Sequence, residues 1–317
     1  MDFSDSNQVI NYFNRSKYSN DENKKALSAI MLSGGTVNYV WRLVFTDNTT
    51  AILKQFPASL RSNPNFALPQ VRSNLEYEAL CIVEDQLPKD STWHAPTPYF
   101  FDENHHVILC QDMKGESLFD LLKRKGSINN DMEWIAKTLV QIPRDIAGFS
   151  VSNISMFENS PLIPIMNGLY ARNPARAIEL GLLDGQAWFD RAVATESSAT
   201  RQLLHGDYWP ASVLIDLQEK KIALVDWELA RTGHPGCDFG QMLANIALMG
   251  ESQAYDHEEA KKLMQEMMSE WQSTDGFDLQ AAYIKRIIQL SNVSHWHLDD
   301  TNAIIQKLVK ASSQLNV

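Results

Sequence analysis

Apolar and polar positions alternate in short runs over about the first 110 residues and recur at helical spacing over most of the rest. Val9, Ile10 and Phe13 predict a short N-terminal helix. Residues 27–32 and 39–45 predict two strands around the turn residues Ser33, Gly34, Gly35 and Thr36. A third strand is predicted over 51–56, after the turn residues Asp47 and Asn48. Leu75, Ala79 and Val83 recur at four-residue spacing and predict a helix over 75–87. Residues 99–101 and 107–110 predict two more strands across the polar turn 102–106.

Beyond Asp112 the pattern turns helical. Helices are expected over 118–125, 132–142, 187–194, 239–249, 258–271, 279–297 and 301–315. Leu263, Met267 and Trp271 form one apolar stripe in the 258–271 helix. Residues 149–176 are loop-rich, with prolines at 161, 164 and 174, and yield no assignment. The change of character predicts two domains, 1–111 and 112–317.

The chemistry concentrates between His205 and Gly240. Leu203 and Leu204 lead into His205, and residues 222–225 lead into Asp226. Two acids, Asp207 and Asp226, thus stand 19 residues apart, each just beyond an apolar run. Phosphoryl transfer needs such a pair: one carboxylate to orient and deprotonate the attacking hydroxyl, another to hold the magnesium that neutralises phosphate charge.

The pairing of HGDYWP at 205–210 with VDWE at 225–228, then GHPGCDFG at 233–240, resembles the aminoglycoside phosphotransferase and choline kinase group of small-molecule kinases. It is most similar to the methylthioribose-kinase-like and fungal-type members, which carry HGDxWPGN and DWE. The resemblance covers roughly residues 30–246. It implies an α+β, protein-kinase-like two-lobe fold: a small antiparallel β-sheet lobe, then a larger, mainly helical lobe, with ATP between them.

The same resemblance assigns roles. Asp207 is the base and Asp226 the magnesium ligand. Ser33, Gly34, Gly35 and Asn38 belong to the hairpin covering the nucleotide, where glycines admit phosphate oxygens without a Cβ in the way. Lys54 reaches the α- and β-phosphates, paired with a glutamate on the following helix. Glu76 and Glu78 are both candidates, and the family pattern favours Glu76. Backbone groups of Gln111, Asp112 and Met113 meet the adenine ring. His205 and Asp238 brace the catalytic loop, and Trp227 fills the place of the protein-kinase phenylalanine. Glu228 either bonds the acceptor or braces its loop.

One position departs from the family. Its pattern has Gly-Asn after the loop proline, the Asn being a metal ligand, whereas this chain has Ala211 and Ser212. A serine hydroxyl is a shorter and poorer ligand for a hard cation than an amide carbonyl. Two readings follow: an active kinase whose metal Ser212 holds directly or through water, or a pseudokinase that binds nucleotide or metabolite with weakened or lost transfer. The segment 295–300 also has two readings. Trp296 stacks on a cationic acceptor, with Asp299 or Asp300 pairing an amine, or it is a buried tryptophan near a helix end.

Composition narrows the partners. A formal net charge of −11 disfavours nucleic acid and anionic membranes, which need clustered cations. It suits a small cationic acceptor. Three widely spaced cysteines, Cys81, Cys110 and Cys237, give neither a disulfide framework nor a zinc site. The polar, acidic N-terminal stretch does not resemble a targeting peptide, and no apolar run approaches the ~20 residues of a membrane span, so a cytoplasmic location is expected. Between Asp226 and Phe239 no APE-type activation segment is found, which argues against a protein substrate. The expectation is an ATP- and Mg²⁺-dependent phosphotransferase acting on a hydroxyl of a small molecule.

Overall fold

The computed structural model describes residues 1–16, 18, 24–32, 37–61, 63–158, 161–162, 165, 173–182, 185–198, 201–271, 276–291 and 296–315. Ser33, Gly34 and Gly35 lie outside these residues. The chain forms two compact units. One comprises Met1–Gln86, Ala95–Met113 and Trp227–Leu229; the other comprises Leu87–His94, Lys114–Asp226 and Ala230–Val317. Each unit is assembled from three stretches of the chain.

The first unit is built on a five-stranded antiparallel sheet. In chain order its elements are α1 (Ser6–Arg15), β1 (Ala26–Met31), β2 (Tyr39–Phe45), β3 (Thr50–Gln55), β4 (Ser59–Leu60), β5 (Asn63–Ala67) and α2 (Arg72–Gln86). After β6 (Trp93–His94), which joins the second unit, come β7 (Pro98–Asp102) and β8 (Val107–Gln111). The sheet order is β1-β2-β3-β8-β7. Asp5 caps α1 by accepting from the Gln8 N–H at 2.8 Å.

The period of two in β3 decides what each face meets. Ala51 and Leu53 join Val9 and Phe13 of α1, together with Trp41, Leu43 and Phe45, in one core. Ile52 and Phe56, on the opposite face, pack with Ile108, Cys110 and Tyr77 of α2. Lys54 shares their parity and therefore faces α2. The β4–β5 hairpin was not expected. Every residue of β5 is exposed, so it carries no apolar alternation to read.

The second unit carries a four-stranded sheet ordered β6-β12-β11-β9, with β9 (Glu116–Ser117), β11 (Val213–Asp216) and β12 (Lys221–Leu224). A separate pair joins β10 (Gln202–Leu204) to β13 (Arg231–Gly233). Trp93 and His94 pair in parallel with Ile222 and Ala223, which explains why 87–94 belongs here. Gly115 has φ +114°, and a Cβ there would meet the Ile215 backbone at 2.8–3.0 Å; only glycine allows that approach.

The helices include α3 (Leu118–Leu121), shorter than expected, α4 (Met132–Gly148) and α5 (Ile154–Glu158). Others span Asn173–Glu179, Gly185–Ser198, Pro235–Met249, His257–Glu270, Leu279–Leu290 and Thr301–Ala311. The expected 279–297 helix thus ends at Leu290. Pro235–Met249 is the central one: every residue from Gly236 to Met249 is buried. Among the described residues, no helix is long and apolar enough to cross a membrane.

Candidate active site

In the first unit, Lys54 and Glu76 meet as a buried ion pair. Lys54 Nζ lies 2.5 Å from Glu76 Oε2, and the residues are 6% and 4% exposed. A buried ammonium is tolerated only with such a partner. Glu78 is exposed, two positions along on the other side of the helix. The partner of Lys54 is therefore Glu76. Phe56 lies beside the pair, its ring centroid 5.0 Å from Lys54 Nζ.

The segment 111–113 is tied down at its first two residues. Gln111 N–H donates to Thr97 O at 2.9 Å. Asp112 receives Nε and Nη2 of Arg42 at 2.6 and 3.0 Å, a two-bond pair. Met113, the last residue of that segment in the first unit, is half-buried.

In the second unit, β10 delivers the 205–212 loop and β12 delivers Asp226. The loop is held from behind by a polar stripe on the buried 235–249 helix. Asp238 Oδ2 accepts the His205 N–H at 2.8 Å, and Oδ1 accepts the Gly206 N–H at 3.1 Å. Gln241, three residues on, donates through Nε2 to Asp207 Oδ1 at 2.6 Å. Asn245, four further, donates to Gln241 O at 2.7 Å. The spacing puts all three on one helix face. Gln241 was not singled out from the sequence. Its signal is a polar residue three after Asp238 in an otherwise apolar helix.

His205 is fully buried and works inside the loop. Its Nδ1 accepts the Asp207 N–H at 3.3 Å, which leaves the proton on Nε2 to donate to Val225 O at 3.0 Å. The imidazole thus joins the 205–212 loop to the residue before Asp226. Gly206 has φ +82°, which glycine adopts without strain. Asp226 has φ +69°, a left-handed conformation uncommon outside glycine.

A proline in α4 supplies a further anchor. Pro143 has no N–H to bond the carbonyl four residues back, which is that of Leu139. Tyr208 fills the gap: its hydroxyl donates to Leu139 O at 2.8 Å. Burial holds this phenol well above its usual pKa, so it stays a donor.

Four of the residues named from the sequence have close partners in the structure. Ser212 is 2% exposed, and its hydroxyl is committed locally: it donates to Trp209 O at 2.8 Å, lies 3.3 Å from Asp207 O, and accepts the Trp209 N–H at 3.2 Å. It caps the 3₁₀ turn Pro210–Ser212. Glu228 Oε2 receives Arg72 Nε and Asn38 Nδ2, both at 2.9 Å. The Asn38 amide takes part in the same contact. Trp296 is 1% exposed, packed against Phe119 and Tyr255 with ring centroids 6.3 Å from each, so it has no open face for a cation.

Asp226 offers hard carboxylate oxygens, and the Lys54 ammonium is held at a fixed place by Glu76. Fold and site together define a kinase-like phosphotransferase. The phosphotransferase enzyme family model matches residues 29–276, and the chain belongs to that family. It is 24% identical to 4-hydroxytryptamine kinase of Psilocybe cyanescens over 247 residues, covering 70% of this chain and 68% of the relative. It is also 24% identical to methylthioribose kinase of Bacillus cereus over 243 residues, 68% of this chain but only 59% of that relative. Solved structures share the fold. The GDP complex of an aminoglycoside 2′-phosphotransferase superposes with a TM-score of 0.58 at 14% identity, covering 97% and 98% of the two chains. Choline kinase from Streptococcus pneumoniae superposes with 0.53 at 16% identity, covering 97% and 99%.

Proposed function

We propose that this phosphotransferase moves the terminal phosphoryl group of ATP to a hydroxyl of a small-molecule acceptor. The observation that carries the reading is the buried Lys54–Glu76 pair, since an aligned lysine on this strand is what phosphate binding requires. Asp207 orients the acceptor hydroxyl and takes its proton as the oxygen attacks phosphorus. His205, Asp238 and Gln241 keep Asp207 in place, and positioning is a large part of catalysis here. Lys54 binds phosphate oxygens. Asp226 would hold magnesium, which when bound supplies neutralisation of phosphate charge. The relatives are named for a hydroxytryptamine and a thiosugar, both small hydroxylated molecules, and the acidic chain suits an acceptor that carries a cation.

The test is ADP release from ATP and Mg²⁺ across a panel of hydroxylated amines and sugars, with Asp207→Ala as control. Acceptor-dependent release that vanishes in Asp207→Ala supports the reading. Release that survives removes Asp207 as the base.

Ser212 favours a second reading. Its hydroxyl is engaged in the 3₁₀ cap, so the ligand that the family's asparagine supplies has no counterpart there. A binding protein without transfer would show ADP and ATP affinity and no acceptor-dependent release from the whole panel.

A further inference from the structure

α1 turns two stripes to different surroundings. Val9 and Phe13 enter the core of the first unit. Gln8, Asn11, Tyr12 and Arg15 recur at helical spacing and form a second stripe. That stripe lines a cleft of about 920 Å³, bounded across from it by the end of β7 and the turn that follows. Clefts of roughly 300–1,000 Å³ suit a small organic ligand. α1 packs on the sheet face opposite Lys54, so the cleft is separate from the Lys54–Glu76 pair. Every residue lining it belongs to the first unit.

The walls are aromatic and held by their neighbours. Phe100 is buried and stacks on Tyr18, with ring centroids 3.4 Å apart. Phe101 points to the other side of β7 and stacks on Tyr77 of α2 at 5.1 Å. Tyr12 meets Phe3 and His105 edge-on, at 5.2 and 5.3 Å. Rings fixed in this way need little further ordering when a ligand enters, which favours binding.

The charges in the cleft are unequal. Asp102 Oδ2 accepts the Tyr12 hydroxyl at 2.5 Å and His105 Nδ1–H at 2.9 Å. Its Oδ1 accepts the backbone N–H of Asn104 at 3.0 Å and of His105 at 3.3 Å. Burial raises the pKa of this carboxyl, but the bonds from Tyr12 and His105 outweigh it and hold the group below the ordinary carboxylate range. Asp102 is therefore oriented and ionised. Glu103, exposed on the turn, adds a second carboxylate. Among the described side chains that line the cleft, Arg15 is the one permanent cation. Two carboxylates against one guanidinium leave an excess of negative charge, and the faces of aromatic rings add to it.

We propose that this cleft is a second ligand site, for an organic ammonium ion whose apolar body lies among Tyr12, Tyr18 and Phe101 and whose charge faces Asp102 and Glu103. It uses none of the residues assigned to phosphoryl transfer and stands independently of that assignment.

The experiment is a ligand-observed NMR titration of the full chain with benzyltrimethylammonium, which has no hydroxyl to phosphorylate. Benzenesulfonate serves as an aromatic ring of opposite charge. Both are run with and without saturating ADP, in a buffer alkaline enough to keep free imidazole neutral. Wild type should bind the ammonium with a Kd of about 1 mM or tighter, and benzenesulfonate at least about tenfold more weakly. ADP should leave the ammonium affinity unchanged. Tyr18→Leu should weaken it by about three- to fivefold, the usual value of one exposed cation–π contact. Glu103→Gln should weaken it by about threefold, and Arg15→Gln, which removes the like charge, should tighten it by a similar factor. Arg15 and Glu103 are exposed, so these two variants decide the matter should Tyr18→Leu not fold.

No binding of the ammonium to wild type overturns the inference. So does an equal or stronger response to benzenesulfonate, or displacement of the ammonium by ADP. An affinity that none of the folded variants alters places the ion elsewhere and overturns it as well. Weaker ammonium binding in Arg15→Gln contradicts the assigned charge of the site and has the same consequence.

Discussion

Gln241 donates its side-chain amide N–H to Asp207 Oδ1 across 2.6 Å, from a helix on which it is 5% exposed. A neutral donor in this place sets the carboxylate's orientation without adding charge. Gln241→Leu removes the donor and should lower kcat by about ten- to a hundredfold, since small misplacements of a reacting group carry that penalty. KM for ATP should not move. Parallel loss of ATP affinity would show that Gln241 supports the fold of the unit and not Asp207 in particular.

Tyr208 and Pro143 form a second testable couple. Tyr208→Phe leaves the Leu139 carbonyl without the donor that Pro143 denies it. A buried acceptor left unmet costs about 1–3 kcal/mol. Restoring an N–H with Pro143→Ala should shrink that penalty. Denaturant melts of the four proteins in this cycle measure the coupling. Independent, additive effects would mean that the hydroxyl and the proline do not share one carbonyl.

Ser212 separates capping from ligation. Ser212→Ala should destabilise by about 1 kcal/mol, the usual value of a lost cap. Its magnesium dependence in ADP binding should equal that of wild type. Ser212→Asn should destabilise as well, because a larger side chain must enter a site that is 2% exposed. A changed magnesium dependence in Ser212→Ala would return the hydroxyl to the metal.

Cys110 lies on β8 beneath α2. Burial, followed by the nearby Glu76 charge, pushes its thiol up to about 12 from 9.0. The reactive form is the thiolate. Because the folded value is the higher one, the native state keeps the proton through the alkaline range and opposes reaction there. Iodoacetamide at about pH 8 should therefore modify Cys110 only as fast as the protein unfolds. Mass spectrometry of digests reports this, and rapid labelling of the native protein would contradict the burial. Above its unfolded value the same shift costs stability, which is lost as pH rises toward 12.

Local spacing was sufficient for several features. The alternation at 51–56 places Lys54 with Ile52 and Phe56, and four-residue spacing predicts α2. The antiparallel first sheet was legible for the same reason. Its hairpins join strands next to each other in the chain, β1 with β2, β2 with β3 and β7 with β8. What escaped was structure without an apolar face, such as the exposed β5 strand, or without a period, such as the two-residue strands β6 and β9.

The sequence by itself determined the order of the chemistry: Lys54, then Asp207, then Asp226, each at the end of or within an apolar run. It also determined which faces of its helices and strands turn inward, because burying apolar area is a local, periodic demand. Only the tertiary structure decided which polar atoms meet. Arg72 finds Glu228 156 residues away, Gln241 finds Asp207 34 away, and Ser212 turns its hydroxyl to Trp209. Such pairings leave no mark on hydrophobic periodicity. They follow from the requirement that every polar group taken from water find a partner in whatever chain lies beside it.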